Sequence, residues 1–397
     1  MIRGAALLLC ASFTAHAYSV LSHEAIVDAV WEDSIKPILV SRFPGATPEA
    51  LHEAHAYVYG GAIIQDMGYY PFGPHEFSDL THYFRSGDFI LNMLASARDL
   101  NEYAFALGSL AHYAADNAGH PIAVNPSVPL VYPRARKKFG NAATYEDDKG
   151  DHVRMEFAFD VAEVAERHYA PAAYHDFIGF EVSKPVLERA FEQTYDIALT
   201  DISSDPDLAL GTYRWTVSTL IPRMTRAAWR SHRDEIRQNN PLAVKRRFIY
   251  AIKRSSFERE WGHRYTRPGF GTRFLAFLLT FIPKIGPFSV LAFHPATPET
   301  QRLFEDSFVR TLALYRANLN RIRRGEKLTL ANTNFDTGEP SHAGRYRLAD
   351  EAVEELRERL KTAPDAALAR ALGEFGGVTA GQRAGARKNK PIWAASH

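Results

Sequence analysis

The sequence predicts an all-α fold: a helical domain followed by a mixed, mostly helical C-terminal extension. Three observations lead there. From Tyr18 to about Asn240, apolar residues recur at helical spacing between recognisable caps and Gly/Pro breaks. Strand-like alternation is scarce, and no repeated unit or sustained heptad is visible. The third is a run of metal-type side chains set four apart: His112, Asp116 and His120 in LAHYAADNAGHP, then His152 and Glu156 in GDHVRMEFAFD. Residues four apart share a face on a helix.

The elements follow in order. Ser22 is placed to cap a helix from His23, with Ile26, Val27, Val30 and Trp31 as its apolar stripe. Pro48 and Glu49 open a second segment that runs through Ala54 and Val58 to Ile64. Met67 to Pro74 reads as a Gly/Pro loop, with order resuming at Asp79 to Tyr83. Leu100 to Asn117 is a long helix packed through Phe105, Leu107, Leu110 and Ala114. Gly108 lies one turn before His112, where a missing side chain permits close approach. Asn125 to Asp148 reads as an irregular loop containing the basic run Arg134 to Lys138. Asp151 is placed to cap the helix that carries His152 and Glu156, and two or three further helices end near Arg237. Later come a helix over Thr300 to Arg323, a polar turn from Asn332 to Gly338, and a helix from about Ala349 to Leu372.

Residues 1–17 read as a signal peptide, with Arg3, a short apolar core from Ala5 to Phe13, and the small-x-small site Ala15-His16-Ala17. Cleavage there leaves a chain beginning at Tyr18. The apolar stretch is too short to span a bilayer. Cys10 is the only cysteine, and Leu9 before it is a poor lead-in to an acylated cysteine, which makes a lipoprotein the weaker alternative. Cleavage after Ala17 leaves no thiol, so stability outside the cytoplasm must come from packing and metal. The division expected is a helical domain over 18–240, an extension of unassigned role over 241–380, and a basic disordered tail over 381–397. Lys245 to Arg267 is basic and interleaved with aromatics. Phe274 to Phe293 is apolar but broken by Pro283, Lys284, Gly286 and Pro287. Residues 241–293 therefore read either as a buried hairpin or as a peripheral membrane contact. The 47 basic and 46 acidic residues cancel, which argues against a stable nucleic-acid complex. A monomer in the periplasm or outside the cell is expected.

Zinc takes imidazole nitrogen and carboxylate oxygen. Taken singly, these residues have ordinary roles. A lone histidine is usually hydrogen-bonded, Asp116 suits a helix surface, and Glu156 could pair with Arg154. H-x-x-x-D-x-x-x-H followed by H-x-x-x-E is a rarer conjunction. His23, Asp66 and His82 add further donors, too many for a single ion.

On these residues, and on Gln65-Asp66-Met67-Gly68-Tyr69-Tyr70-Pro71, the stretch from Tyr18 to Tyr169 resembles the bacterial zinc-dependent phospholipase C family. That family is related to fungal single-strand-specific zinc nucleases. The resemblance implies a helical domain holding three zinc ions. It implies that Tyr18, as the mature N-terminus, holds one ion with His23 through main-chain atoms. Asp66, His82 and His112 would hold a second, with Asp116 bridging those two. His120, His152 and Glu156 would hold the third, and Asp66 would act as general base. Tyr18 stands where the family usually has tryptophan. Only three residues separate Asp116 from His120, fewer than is common in the family.

The function expected is hydrolysis of phospholipids in phospholipase C fashion, with Tyr69, Tyr70 and Phe72 either packing their loop or lining a substrate groove. Alternatives left open are a single-strand-specific nuclease or nucleotidase, another phosphodiester substrate, and a non-catalytic metal domain with a lipid-binding C-terminal region.

Overall fold

The computed structural model describes residues 20–70, 72–166, 180–203, 205–215, 234, 293–360 and 363–376. Tyr18, the segment 1–17, nearly all of 241–293 and the tail 381–397 lie outside the described residues.

The first helices are α1 (Val20–Val30), continued by a π turn (Trp31–Ile35), then α2 (Lys36–Arg42) and α3 (Pro48–Ile63). A 3-10 turn (Ile64–Tyr69) leads to α4 (His75–Tyr83), α5 (Ser86–Ser96) and α6 (Leu100–Gly119). A second π turn (His120–Val124) follows, then α7 (Asn125–Val131), α8 (Pro133–Phe139) and α9 (Lys149–Glu166). Next are α10 (Lys184–Tyr195), α11 (Leu199–Ile202) and α12 (Pro206–Trp215). The C-terminal part contributes α13 (Pro298–Arg323), α14 (Arg347–Arg359) and α15 (Ala366–Phe375). Among the described residues there is no strand, only one isolated antiparallel bridge between Thr333 and Pro340. No described helix is long and apolar enough to cross a membrane.

α6 is the central helix, with α1, α3, α5 and α13 packed around it. Its sequence explains this position. Ala104, Ala106, Gly108, Ala111, Ala114, Ala115 and Ala118 are all buried, so neighbours can approach from every side. Asp99 starts the helix by accepting the Glu102 N–H at 2.8 Å, and Glu102 accepts the Arg98 N–H at 2.7 Å.

α3 and α6 cross with their backbones in close contact. A Cβ on Gly61 would stand 1.9 Å from the Phe105 carbonyl oxygen, and one on Gly108 would stand 2.0 Å from that of Val58. This intimacy serves a backbone need. The last carbonyls of a helix have no partner within it. At the end of α3, Ser109 donates to the Gly61 carbonyl at 3.2 Å, His112 to that of Ala62 at 2.9 Å, and Tyr213 to that of Ile63. Tyr213, one of a polar-aromatic trio with Arg214 and Trp215, is thus a buried cap.

The C-terminal part joins the same core. Tyr315 of α13 is buried and donates to the Leu107 carbonyl at 2.8 Å, while Phe304 packs on Phe159 with ring centroids 4.9 Å apart.

Several sequence expectations need correction. Ser22 is not a cap: it lies inside α1, and its hydroxyl donates to Asp160 at 2.7 Å. Asp151 does not cap α9. Asp148 does so, accepting the Asp151 N–H at 3.1 Å, while Asp151 pairs with Arg154 at 2.6 Å. Residues 125–148 are not a loop throughout, since Pro126 and Pro133 stand in the first turns of α7 and α8, where proline is tolerated. The single helix expected over Ala349 to Leu372 is two, α14 and α15, with Pro364 between them and Asp365 capping the second.

Gly108→Ala should destabilise the protein. Alanine favours a helix over glycine by about 0.5–1 kcal/mol, but overpacking against a fixed backbone costs about 1–3 kcal/mol or more. A lowered urea midpoint is expected; an unchanged or raised midpoint would mean that α3 and α6 separate without penalty.

Candidate metal centre

The donors converge from six elements. α1 supplies His23, the 3-10 turn Asp66, and α4 His82. α6 supplies His112 and Asp116, and the π turn that continues it begins with His120, which keeps the spacing of four. α9 carries His152 and Glu156, with Asp160 one turn further along the same face. All are buried. Three compact groups result: His23, His112 and Asp116; Asp66, His82 and His112; and His120, His152 and Asp336. Tyr18 lies outside the described residues.

Hydrogen bonds fix which imidazole nitrogens face inward. His112 Nδ1 donates to the Ala62 carbonyl at 2.9 Å and His82 Nδ1 to the Ser78 carbonyl at 2.8 Å. A carbonyl only accepts, so each Nδ1 carries a proton. The two Nε2 atoms then face one another at 3.2 Å. Asp66 Oδ1 lies 3.3 Å from His82 Nε2 and 4.0 Å from His112 Nε2. Once His82 gives up its Nε2 proton, the two Nε2 lone pairs and the Asp66 oxygen suit a shared cation, with the outer nitrogens already anchored.

Asp116 stands between the groups. Its Oδ1 is 3.5 Å from His23 Nε2. Its Oδ2 is 3.1 Å from His112, 3.4 Å from His82 and 3.7 Å from His120, in each case to Nε2. The other nitrogen of His120, Nδ1, faces the third group, 3.0 Å from His152 Nε2 and 3.2 Å from Asp336 Oδ1. Glu156 Oε1 lies 3.0 Å from His152 Nε2.

Asp336 was not foreseen. The segment 332–338 read as a polar turn, and it is one. Asn334 Oδ1 accepts the N–H groups of Asp336 at 2.9 Å and Thr337 at 3.2 Å. The turn signal was legible, but Asp-Thr-Gly is commonplace in turns and has no partner at helical spacing. The structure places Glu156 against His152, while Asp336 completes the compact trio.

The electrostatics describe a centre short of positive charge. Burial, then repulsion from Asp66, Asp116 and Asp336, raises Glu156 well above the usual carboxylate range. Burial alone would depress His82, yet Asp116 and Asp66 beside it hold it at about 10. His120 is similarly desolvated, and Asp116 and Asp336 hold it at about 9. Burial, reinforced by His112, lowers His23 to about 3, and burial lowers His152 to about 3. Burial opposes the ionisation of Asp336, but His120 and His152 keep it at about 2.

The donor set fits zinc. It consists of imidazoles and carboxylates, and Asp66 Oδ1, Asp336 Oδ1 and both oxygens of Asp116 and Glu156 accept no hydrogen bond although buried. The neighbouring aromatics divide. Tyr69 is buried, donates to Asp79 at 3.1 Å and packs on His82 with centroids 5.6 Å apart. Tyr70 packs on Tyr213 at 4.5 Å. Phe72 is exposed, with φ of 64°.

Zinc binding to metal-free protein at pH 7.5 should release protons. His82 and His120, at about 10 and 9, are charged there without metal and must become neutral to ligate. Their folded values lie above the ordinary 6.5, so the proton is held up to those values and competes with metal below them. Apparent affinity should therefore rise from pH 7 to pH 9. Calorimetry in buffers of different ionisation enthalpy reads this directly, and a buffer-independent heat would contradict it.

Residues 22–204 match the family model described as zinc-dependent phospholipase C, just under half of the chain. No curated protein and no solved structure matches. His23, Asp66, His82, His112, Asp116, His120, His152 and Glu156 all fall inside that stretch, whereas Asp336 falls beyond it. The helical region that carries these buried donors is thus similar, over residues 22–204, to the zinc-dependent phospholipase C family.

Proposed function

We propose that the protein is a secreted phosphodiesterase that carries three zinc ions and cleaves phospholipids to diacylglycerol and a phosphorylated headgroup. The observation that carries this reading is the joining of the His/Asp groups through Asp116, which faces His23 with one oxygen and His82, His112 and His120 with the other. Such a junction can hold several cations side by side. Secretion is supported by the signal-like residues 1–17, and a peripheral lipid contact by the basic and aromatic composition of 241–293.

Bound zinc lowers the pKa of water and offsets charge on a phosphate. The chain supplies the rest. Asp66, whose Oδ1 would hold the second ion with His82 and His112, would through its carboxylate also orient the attacking water and take its proton. Asp116 would be shared by the first and second ions. His120 and His152, with Glu156 beside them, would hold the third, which would supply positive charge to offset that on a phosphate. His82 and His112 are kept in one orientation by the Ser78 and Ala62 carbonyls.

The test uses zinc-loaded protein beginning at Tyr18 and phosphatidylcholine vesicles. Release of water-soluble phosphorylated headgroup is expected, with Asp66→Asn lowering the rate by about 10²–10⁴-fold, the scale of general-base catalysis. A zinc-containing protein that releases no headgroup but cleaves single-stranded nucleic acid would replace this reading with the nuclease one. Asp116→Ala should also lose more zinc than Glu156→Ala, because Asp116 serves two ions. Equal zinc in both variants, measured by elemental analysis, would contradict the bridging role.

A further inference from the structure

We propose that Asp336, from the turn after α13, is a direct ligand of the ion held by His120 and His152. The part of the chain beyond the family match then completes the metal centre. This rests on reading the centre as a zinc site, though not on what it hydrolyses.

The two oxygens of Asp336 are treated differently. Oδ2 accepts the Tyr145 N–H at 2.8 Å and the Tyr346 hydroxyl at 2.5 Å. Oδ1 accepts no hydrogen bond, is buried, and lies 3.2 Å from His120 Nδ1. One oxygen is anchored and the other is presented, which is how an outer shell aims a carboxylate at a metal. In the metal-free protein protonated His120 offsets the Asp336 charge, whereas a divalent ion would engage Oδ1, His120 and His152 at one point.

The turn is built to hold that position. Asn334 caps it from within. Phe335 N–H donates to the His82 carbonyl at 3.0 Å, and the Phe335 ring packs edge-on to His82 with centroids 5.3 Å apart. Asn125 donates to the Asp336 carbonyl at 2.7 Å. Ser86 donates to the Thr333 carbonyl at 2.7 Å, and Gly87 lets the Ala331 carbonyl come close, since a Cβ there would stand 2.5 Å from it. Neighbours of two other ligands thus help to set the height of Asp336.

His120, His152, Glu156 and Asp336 together make four protein donors, enough to close a tetrahedral zinc shell. The third ion is then held more by protein than His120, His152 and Glu156 alone would hold it. It acts as a fixed positive charge and as a staple between α6, α9 and the C-terminal part.

The test is anomalous-scattering crystallography of the zinc-loaded full-length protein, with chelator competition on wild type and Asp336→Asn. An ion about 2.0–2.2 Å from Asp336 Oδ1 is expected. Zinc affinity at one site should fall about 10–100-fold in Asp336→Asn, with helical circular dichroism unchanged. Hydrogen exchange of residues 331–341 should slow on zinc addition in wild type and not in the variant. An ion bound to His120 and His152 with both Asp336 oxygens beyond 3 Å would overturn the proposal, as would an unaltered affinity. If Asp336 ligates zinc but no lipid is cleaved, only the hydrolytic reading fails. If the protein binds no zinc, both fail.

Discussion

Charge burial is the constraint on which the rest of this structure depends. Asp66, Asp116, Glu156 and Asp336 are all out of water and gathered around five imidazoles. An isolated buried carboxylate is costly, and attraction to a partner repays it only with good geometry and satisfied lone pairs. Here the lone pairs are not satisfied, because six carboxylate oxygens of these residues accept no hydrogen bond. Protons offer one remedy, and the raised values of His82, His120 and Glu156 describe it. Cations offer a better one, because a single divalent ion can engage oxygens and nitrogens that face the same point.

The scaffold answers that constraint through close backbone packing. Glycine at 61 and 108 lets α3 and α6 touch, and the touch places His112 within reach of an unpaired carbonyl at the end of α3. One hydrogen bond then does two jobs: it satisfies the helix end and fixes the His112 tautomer so that Nε2 faces the centre. His82 repeats the device on its own helix through the Ser78 carbonyl. Orientation of the ligands is thus a by-product of satisfying backbone groups that any buried helix end must satisfy.

Much of this was legible in the sequence. Spacing of four is the strongest local signal that a helix offers, and it revealed His112, Asp116, His120, His152 and Glu156 together. It also revealed the close approach at Gly108. What failed were boundaries set by chemistry at one residue. Ser22 and Asp151 are good caps by composition, but Ser22 serves Asp160 and Asp151 serves Arg154. Residues 125–148 read as a loop, yet they hold two short helices, with Pro126 and Pro133 in first turns, where proline loses nothing, and Pro129 inside α7. Asp336 was out of reach for a different reason. Its partners are brought to it by tertiary packing of α13 on α6, and no periodicity links positions so far apart in the chain.

That separation gives the proposed arrangement a thermodynamic consequence. Among the described donors, those of the first and second groups all come from residues 22–204, so neither group draws a donor from the C-terminal part. In the proposed arrangement the third ion draws on both parts, and any ligand that binds only the docked state stabilises docking by mass action. At a free concentration of 100 times the dissociation constant this is about 2.7 kcal/mol. The coupling is reciprocal, so packing of Tyr315 and Phe335 against α6 and α4 raises affinity at the third site by the same amount that zinc strengthens the packing. Metal loading and closure of the C-terminal part then become one equilibrium. The hydrophobic contacts of α13 and the donor atoms of Asp336 are two contributions to it.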